Sequence, residues 1–259
     1  MTRSTTKKRP AGFRYIEQLQ GERPWGSVLD AGTGVSSMRW IESLATERWT
    51  AVTGSEAHAG RVRQILKTPL RAKDRVIVGN WADPQLCKGE AYDTVLADYL
   101  LGAMEGFYPY FQSYLFKRLY PLTRKVLYVK GLEPYVPNAK PHSKAGQILW
   151  EIGRFRDACV LMTGGLPYRE YPMPWVADQL QSAGFAVQNT RHFKIGYKEL
   201  FVNAQIHIAT SGLKAMADRE LANLLSRRGE TLRTQALDLI AAEGALRSCQ
   251  NYVIAATPV

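Results

Sequence analysis

The chain has 259 residues, of which 46% are hydrophobic and 22% charged, proportions typical of an ordinary globular protein. Its formal net charge is +11. No apolar run approaches the ~18 residues that a transmembrane helix needs, and no apolar stretch follows the basic N-terminus to make a secretory signal. These features exclude a membrane-spanning or secreted protein and favour a cytoplasmic one.

Much of the positive charge lies at the N-terminus. Five basic residues and no acidic residue occur in the first fifteen positions: Arg3, Lys7, Lys8, Arg9 and Arg14. Such a segment can bind RNA or an acidic partner, or it can be a disordered solubilising end. We interpret residues 1–12 as a flexible basic tail and leave its role open.

The cysteines have no spacing that is typical of metal ligation or of a disulfide framework. Cys87, Cys159 and Cys249 are scattered along the chain and odd in number. The sequence therefore predicts reduced thiols, as expected in the cytoplasm, and no metal site.

Strands and helices alternate along the chain after a short leading helix at 13–19. Apolar runs predict strands at 27–31, 49–53, 74–78, 94–97, 126–129, 185–187 and 251–256. Apolar residues at helical spacing predict helices at 37–46, 58–66, 107–119, 143–162 and 175–183. This alternation is typical of α/β proteins and predicts a doubly wound, mainly parallel seven-stranded sheet with helices on both faces.

Two segments interrupt the alternation. Residues 134–174 begin with a proline-rich stretch and continue into a helix, and we interpret them as a cap. Residues 197–248 carry apolar side chains at helical spacing over 213–225 and 232–240 and form a helical insert. The apolar faces of this insert fit a lid, a homodimer contact or plain packing, and the sequence does not choose among them. We treat residues 13–259 as one domain with these two additions.

The most informative motif is Asp30-Ala31-Gly32-Thr33-Gly34, at the end of the first predicted strand. Glycine at such a turn removes the Cβ and lets the backbone approach a ligand closely. A strand, a glycine-rich turn and a helix in this order are typical of a nucleotide-binding turn. The carboxylate of Asp30, with no third glycine, suits a ligand with a cationic or amine-bearing part better than a dinucleotide.

The chain resembles the class I (Rossmann-like) S-adenosylmethionine-dependent methyltransferases over residues 24–193 and the last ten residues. Four features match that family in order and spacing: the stretch 28–34, Glu56 after the second strand, the turn 79–82 and the stretch 92–98. The resemblance implies that S-adenosylmethionine is the cofactor. The chain departs from the family at Ser36, where a third glycine is common, and at Asn80, where aspartate is more usual.

The resemblance also implies roles in cofactor binding. The turn residues Asp30, Ala31, Gly32, Thr33 and Gly34 would hold the amino end of the cofactor. Glu56 would accept hydrogen bonds from the ribose hydroxyls; its alternative is an acid at a helix N-terminus, where the helix dipole favours a negative charge. Asn80 and Trp81 would contact the adenine. The alternative for Trp81 is that it is an ordinary half-buried side chain with no role in binding. Asp98 would contact cofactor or substrate at the carboxyl edge of the sheet, or cap the next helix.

Methyl transfer needs a nucleophile positioned against the methyl group, and an oxygen or amine acceptor must also lose a proton. Tyr99, Glu133 and His142 follow strands four and five and are our candidate catalytic residues. The aromatic side chains between Phe107 and Tyr114 could line an acceptor pocket or pack on the sheet. Three arginines could hold a substrate carboxylate or lie in solvent: Arg154, Arg156 and Arg169.

We therefore predict a methyltransferase that uses S-adenosylmethionine and acts on an oxygen or nitrogen of a small-molecule metabolite. The alternatives are an RNA or protein methyltransferase that uses the basic tail, and a non-catalytic cofactor-binding or partner-binding protein of the same fold. The intact residues Asp30, Gly32 and Gly34 argue against the non-catalytic alternative. The absence of a recognisable RNA-binding module argues against RNA.

Overall fold

A computed structural model describes residues 9–136 and 139–259. Most of the predicted basic tail, including Arg3, Lys7 and Lys8, and Pro137 of the predicted cap lie outside the described residues.

The described chain forms one seven-stranded sheet in the order β3-β2-β1-β4-β5-β7-β6. The strands are β1 (Ser27–Asp30), β2 (Arg48–Thr53), β3 (Arg75–Val78), β4 (Tyr92–Asp98), β5 (Thr123–Leu132), β6 (Phe185–Tyr197) and β7 (Leu246–Pro258). Strands β1 to β5 pair in parallel, whereas β7 is antiparallel to both β5 and β6. The predicted mainly parallel seven-stranded sheet is confirmed.

Helices surround the sheet and continue beyond it. They are α1 (Ala11–Gln20), α2 (Val35–Ile41), α3 (Glu56–Ile65), α4 (Leu100–Ala103), α5 (Gln112–Leu119), α6 (Lys144–Met162), α7 (Met173–Ser182), α8 (Glu199–Thr210) and α9 (Arg219–Glu243). Within the ranges that the structure describes, no helix is both long enough and apolar enough to span a membrane.

The central strands bury side chains on both faces of the sheet, because successive residues of a strand point in opposite directions. Leu29 and Val95 join the apolar layer that α5 and α7 cover. Their neighbours Val28 and Leu96 join the layer that α1, α2 and α3 cover. A third apolar cluster lies between α6, α8, α9 and the ends of β6 and β7. The predicted helices on both faces are therefore confirmed.

The helix boundaries differ from the predictions where local geometry overrides the apolar pattern. Helix α1 begins at Ala11, so the predicted end of the tail at residue 12 falls inside it. The predicted helix at 107–119 begins only at Gln112. Tyr110 has a φ of +69°, which an α-helix does not accommodate.

The C-terminal third differs most from the sequence prediction. Strands β6 and β7 have 13 residues each, because they pair with each other along nearly their whole length. Helix α8 was not predicted, although its buried residues Val202, Ile206 and Ala209 have helical spacing. Helix α9 is one continuous helix of 25 residues that begins at Arg219 and spans most of the two apolar stretches.

Candidate functional site

The carboxyl ends of β1, β2 and β4 open on a cavity of about 220 Å³, hereafter the first cavity. Seven of the predicted site residues line it: Ala31, Gly32, Thr33, Asn80, Trp81, Asp98 and Tyr99. The parallel strands bring these residues together, since their carboxyl ends meet at one edge of the sheet. His58 and Phe107 also line the first cavity, and the sequence analysis assigned neither of them a role there.

The glycine turn after β1 is held by its own hydrogen bonds. At the start of α2, the Ser37 hydroxyl accepts a hydrogen bond from the Gly34 amide at 3.0 Å. A Cβ on Gly32 would lie 2.9 Å from two side-chain atoms of Leu100, whereas a Cβ on Gly34 would meet nothing within 4 Å. Gly32 therefore serves the packing of the turn against α4, and Gly34 borders open space.

Asp30 is fully buried behind this turn. Neither of its carboxylate oxygens has a hydrogen-bond partner among the described residues, and the buried Thr33 hydroxyl has none there either. Desolvation raises the pKa of Asp30 to about 7, and the negative charge of Asp98 adds to the rise. The polar groups of Ser37, Thr33 and Gly32 oppose it. Asp30 is thus a buried acid behind the turn that does not itself line the first cavity, and a cationic ligand at the turn would stabilise its charged form.

Asp98 is paired with a lysine that the sequence analysis missed. The Lys130 ammonium lies 2.6 Å from the Asp98 carboxylate, and both side chains are less than a tenth exposed. The ammonium also lies 3.6 Å from the centre of the Phe13 ring and 5.1 Å from that of Tyr99. A lysine directly after the apolar run 126–129 was the available signal, because a charge that ends a buried strand needs a partner.

The residues predicted to contact adenine already make hydrogen bonds within the chain. The Trp81 indole N–H donates to the Ala31 carbonyl at 2.6 Å, and the side chain is only 2% exposed. The Asn80 amide donates to the Phe107 carbonyl at 3.2 Å, while its oxygen accepts the Ala82 amide at 3.0 Å. Trp81 is therefore more deeply buried than the ordinary half-buried tryptophan that was the alternative to an adenine contact. The adenine roles stay predictions.

Glu56 does not line the first cavity. It is the first residue of α3, its side chain is 78% exposed, and its nearest cationic partner is Arg63 at 3.7 Å. This position matches the alternative of an acid at a helix N-terminus. The predicted hydrogen bonds from Glu56 to ribose stay a prediction. The absence of Glu56 from the lining of the first cavity does not support them.

A second cavity of about 470 Å³ adjoins the first. Tyr99, Ala103 and Tyr168 line both cavities, so the two meet at these side chains. The end of β5, helices α6 and α8, and the loop between α6 and α7 form most of its wall. The predicted cap and the predicted insert thus each contribute to this cavity.

Of the three candidate catalytic residues, only Tyr99 lies in either cavity lining. Its backbone has a φ of +52°, a conformation that non-glycine residues adopt rarely and often at functional sites. Burial and the charge of Asp98 raise the pKa of its hydroxyl. The Glu133 carboxylate instead binds His192 Nε2 at 2.8 Å and the Met173 amide at 3.1 Å. His142 is exposed outside both cavity linings.

The aromatic residues that the sequence suggested for an acceptor pocket, between Phe107 and Tyr114, do not line the second cavity. Tyr108, Tyr110 and Tyr114 are exposed outside the second cavity. The aromatic lining comes mainly from more distant segments: Tyr135, Tyr168, Tyr171, Phe201 and Tyr252. Such a set is brought together only by the fold, so no local pattern in the sequence reveals it.

The three arginines differ in their surroundings. Arg154 lies over the Trp150 ring, 4.8 Å from its centre, and Arg169 is exposed. Arg156 is buried, and its guanidinium binds Asp157 and the Gln205 side-chain oxygen at 2.6 Å each, as well as the Tyr135 hydroxyl. Arg156 is therefore a structural cation of the second cavity, with four of its five N–H donors already used.

Replacement of Lys130 by methionine tests the buried ion pair. The variant leaves the Asp98 carboxylate buried without its cation, which should lower the free energy of unfolding by about 3 kcal/mol. Urea denaturation at pH 7.5 measures the loss. The double variant Lys130→Met with Asp98→Asn should recover most of the stability, because it removes the stranded charge. If the single and double variants lost the same free energy of unfolding, the unpaired charge of Asp98 would not be the cause of the loss, and the prediction would be wrong.

The strand order, the antiparallel β7 and the glycine turn above β1 together define the fold of class I S-adenosylmethionine-dependent methyltransferases. The resemblance inferred from the sequence is confirmed at the level of the fold. No protein-family model matches the chain, and no curated protein matches its sequence.

Solved structures with this fold resemble the chain over nearly its whole length. A cyclopropane-fatty-acyl-phospholipid synthase-like protein from Lactobacillus casei is 12% identical with a TM-score of 0.62, over 95% of this chain and 89% of its own. A putative methyltransferase from Bacillus halodurans is 11% identical with a TM-score of 0.57, over 95% and 99%. Coclaurine N-methyltransferase bound to N-methylheliamine and SAH is 14% identical with a TM-score of 0.51, over 95% and 71%.

Proposed function

We propose that this protein is an S-adenosylmethionine-dependent methyltransferase that acts on a small-molecule acceptor. The observation that carries the proposal is the junction of two cavities at Tyr99, Ala103 and Tyr168. The first cavity lies at the carboxyl edge of a doubly wound sheet, where such folds bind nucleotides. The second is larger and has a wall of aromatic side chains, as expected of a site for a partly apolar molecule.

The residues around the first cavity fit the cofactor. When bound, S-adenosylmethionine supplies an electrophilic methyl group on a positively charged sulfur. Behind the turn, Asp30 offers a buried carboxylate that lacks a hydrogen-bond partner among the described residues, and Gly34 leaves open space at the turn itself. A cationic ligand would relieve the desolvation of this acid. SAH bound in a structural neighbour of the same fold gives further support.

Several side chains of the chain would orient the reactants and exclude water. Lys130 lines the second cavity and Asp98 lines the first, so their ion pair joins the walls of the two cavities. The Phe13 ring packs against the Lys130 ammonium. Phe107 covers the end of β2, since a Cβ on Gly54 would lie 2.5 Å from its ring. Tyr99 lies at the junction, and the rise of its pKa keeps its hydroxyl protonated even above the range in which tyrosine ordinarily ionises. It is therefore suited to position an acceptor by hydrogen bonding rather than to remove its proton.

The second cavity supports a small-molecule acceptor rather than RNA. A volume of about 470 Å³ suits a compact metabolite. This volume favours the metabolite over the RNA and protein alternatives.

Transfer of radiolabelled methyl groups into fractionated cell extract tests the proposal. Methyl-labelled S-adenosylmethionine and the protein are incubated separately with the small-molecule filtrate, the RNA and the protein of one bacterial extract. We expect label in the filtrate alone, and none with the Gly34→Val variant. Label mainly in RNA or in protein would replace the small-molecule acceptor with that alternative. Absence of label in every fraction, with S-adenosylmethionine bound, would favour the non-catalytic alternative.

A further inference from the structure

We infer that the second cavity binds an aromatic amine in its ammonium form, with Glu170 as the counter-charge. The inference rests on the proposed function, because it names the chemical class of the acceptor at the same site. An ammonium has no lone pair, so a methyl group could be transferred to this nitrogen only after the nitrogen had passed a proton to the Glu170 carboxylate. It combines two features of the cavity: a carboxylate without an ion-pair partner, Glu170, and the aromatic rings of the same wall.

The charged residues of the cavity wall are paired except at Glu170 and Arg169. Lys130 is neutralised by Asp98 at 2.6 Å, and Arg156 by Asp157 at 2.6 Å. Among the described residues, the Glu170 carboxylate makes no ion pair within 4 Å and no side-chain hydrogen bond. Arg169 is exposed and makes no ion pair with Glu170, although its positive charge lowers the pKa of that carboxyl. Glu170 is thus a partly buried carboxylate of the wall that has no ion-pair partner among the described residues.

Glu170 is desolvated at this position. Burial raises the pKa of its carboxyl, and the charge of Asp157 adds to the rise. Arg156 opposes the rise through its positive charge, without lying within ion-pair distance. A cation that entered the cavity would gain the attraction of a carboxylate that water stabilises only weakly.

Aromatic rings supply the rest of the recognition. Six of them line the second cavity: Tyr99, Tyr135, Tyr168, Tyr171, Phe201 and Tyr252. The face of an aromatic ring attracts a cation, and the same rings favour flat apolar groups. A ring-bearing amine satisfies both, because its ammonium can lie against Glu170 while its ring packs among the tyrosines.

A substrate carboxylate fits this wall less well. The buried guanidinium of Arg156 already donates to Asp157, Gln205 and Tyr135. The Lys130 ammonium is held by Asp98 beneath Phe13. An anion inside the cavity would therefore meet the unpaired carboxylate of Glu170 and two cations that already have partners, whereas the remaining cation, Arg169, is exposed.

Three indole probes of similar size and different charge test the inference. Tryptamine, tryptophol and indole-3-acetate are titrated into the protein saturated with SAH, and their dissociation constants are measured by saturation-transfer NMR. We expect tryptamine to bind most tightly. Glu170→Gln should weaken tryptamine binding about tenfold and leave tryptophol unchanged, because the substitution removes charge while keeping shape. Glu243→Gln, at the exposed end of α9, is the matched control and should change neither.

Three results would overturn the inference. They are equal or tighter binding of indole-3-acetate or tryptophol, an unchanged affinity for tryptamine in Glu170→Gln, and no binding of any probe at millimolar concentration. Each of these results can occur in a protein that still binds SAH, and would then leave the proposed methyltransferase function in place. If the wild-type protein did not bind SAH at all, that result would instead count against the proposed function itself.

Discussion

At pH 8 the Asp30→Asn variant is expected to be more stable than the wild-type protein by about 2 kcal/mol, although it binds the cofactor poorly. The pKa of Asp30 is raised from 3.8 to about 7 in the folded protein, so folding favours the protonated acid. Ionisation of Asp30 therefore costs stability progressively as the pH rises from about 4 to 7, up to about 4 kcal/mol in full. The amide avoids this cost, but its own unsatisfied polar atoms offset part of the gain.

Urea denaturation at pH 5 and pH 8 measures this prediction. The advantage of Asp30→Asn should be small or absent at pH 5, where the wild-type carboxyl is protonated, and largest at pH 8. Asp238→Asn, on the exposed face of α9, is the control and should show no such trend. A variant that becomes less stable relative to wild type as the pH rises would mean that the Asp30 carboxylate is well satisfied in the free protein.

Cofactor binding should change in the opposite direction. Asp30→Asn should weaken S-adenosylmethionine binding at pH 8 by at least about tenfold, because the variant removes a buried negative charge next to a cationic ligand. The same carboxylate thus lowers the stability of the free protein and strengthens binding of the ligand. Wild-type affinity in the variant would remove Asp30 from the cofactor site.

The second large effect is expected from Gly34→Val. A side chain at this position meets no protein atom within 4 Å, and the φ of −139° is one that valine adopts readily. The fold should therefore tolerate the substitution within about 0.5 kcal/mol. The side chain would nevertheless occupy the open space beside the turn that the cofactor needs, and affinity for SAH should fall about a hundredfold or more.

A glycine elsewhere provides the control for this variant. Gly60 lies within α3, outside the glycine turn, and a Cβ there also meets nothing within 4 Å. Gly60→Val should leave SAH binding unchanged. A bulky residue at Gly32 is a poorer test, since contact with Leu100 would confuse misfolding with loss of binding. Equal SAH affinity in Gly34→Val and wild type would show that the cofactor does not approach this turn.

The fold could be predicted from the sequence because its central strands are short, apolar and separated by helical stretches. The same regularity predicted the glycine turn and the carboxyl-edge residues. Seven of these residues, from Ala31 to Tyr99, line one cavity, whereas Asp30, Gly34 and Glu56 lie outside its lining. These are local patterns, and each can be read in a window of a few residues.

The second cavity could not be predicted in this way. Its wall combines Lys130 from β5, Arg156 from α6, Glu170 from a loop and Tyr252 from β7. No local pattern joins residues so far apart in the chain. The candidate bases Glu133 and His142 were chosen for their position after β5, and neither lines a cavity, because Glu133 turns towards His192 and His142 is exposed.

Calorimetric titration of the wild-type protein with S-adenosylmethionine and SAH tests the central claim most directly. We expect both ligands to bind at one site with micromolar dissociation constants, and both to bind far more weakly to Gly34→Val but normally to Gly60→Val. No heat of binding from either ligand to the folded wild-type protein would contradict the assignment of the first cavity to this cofactor.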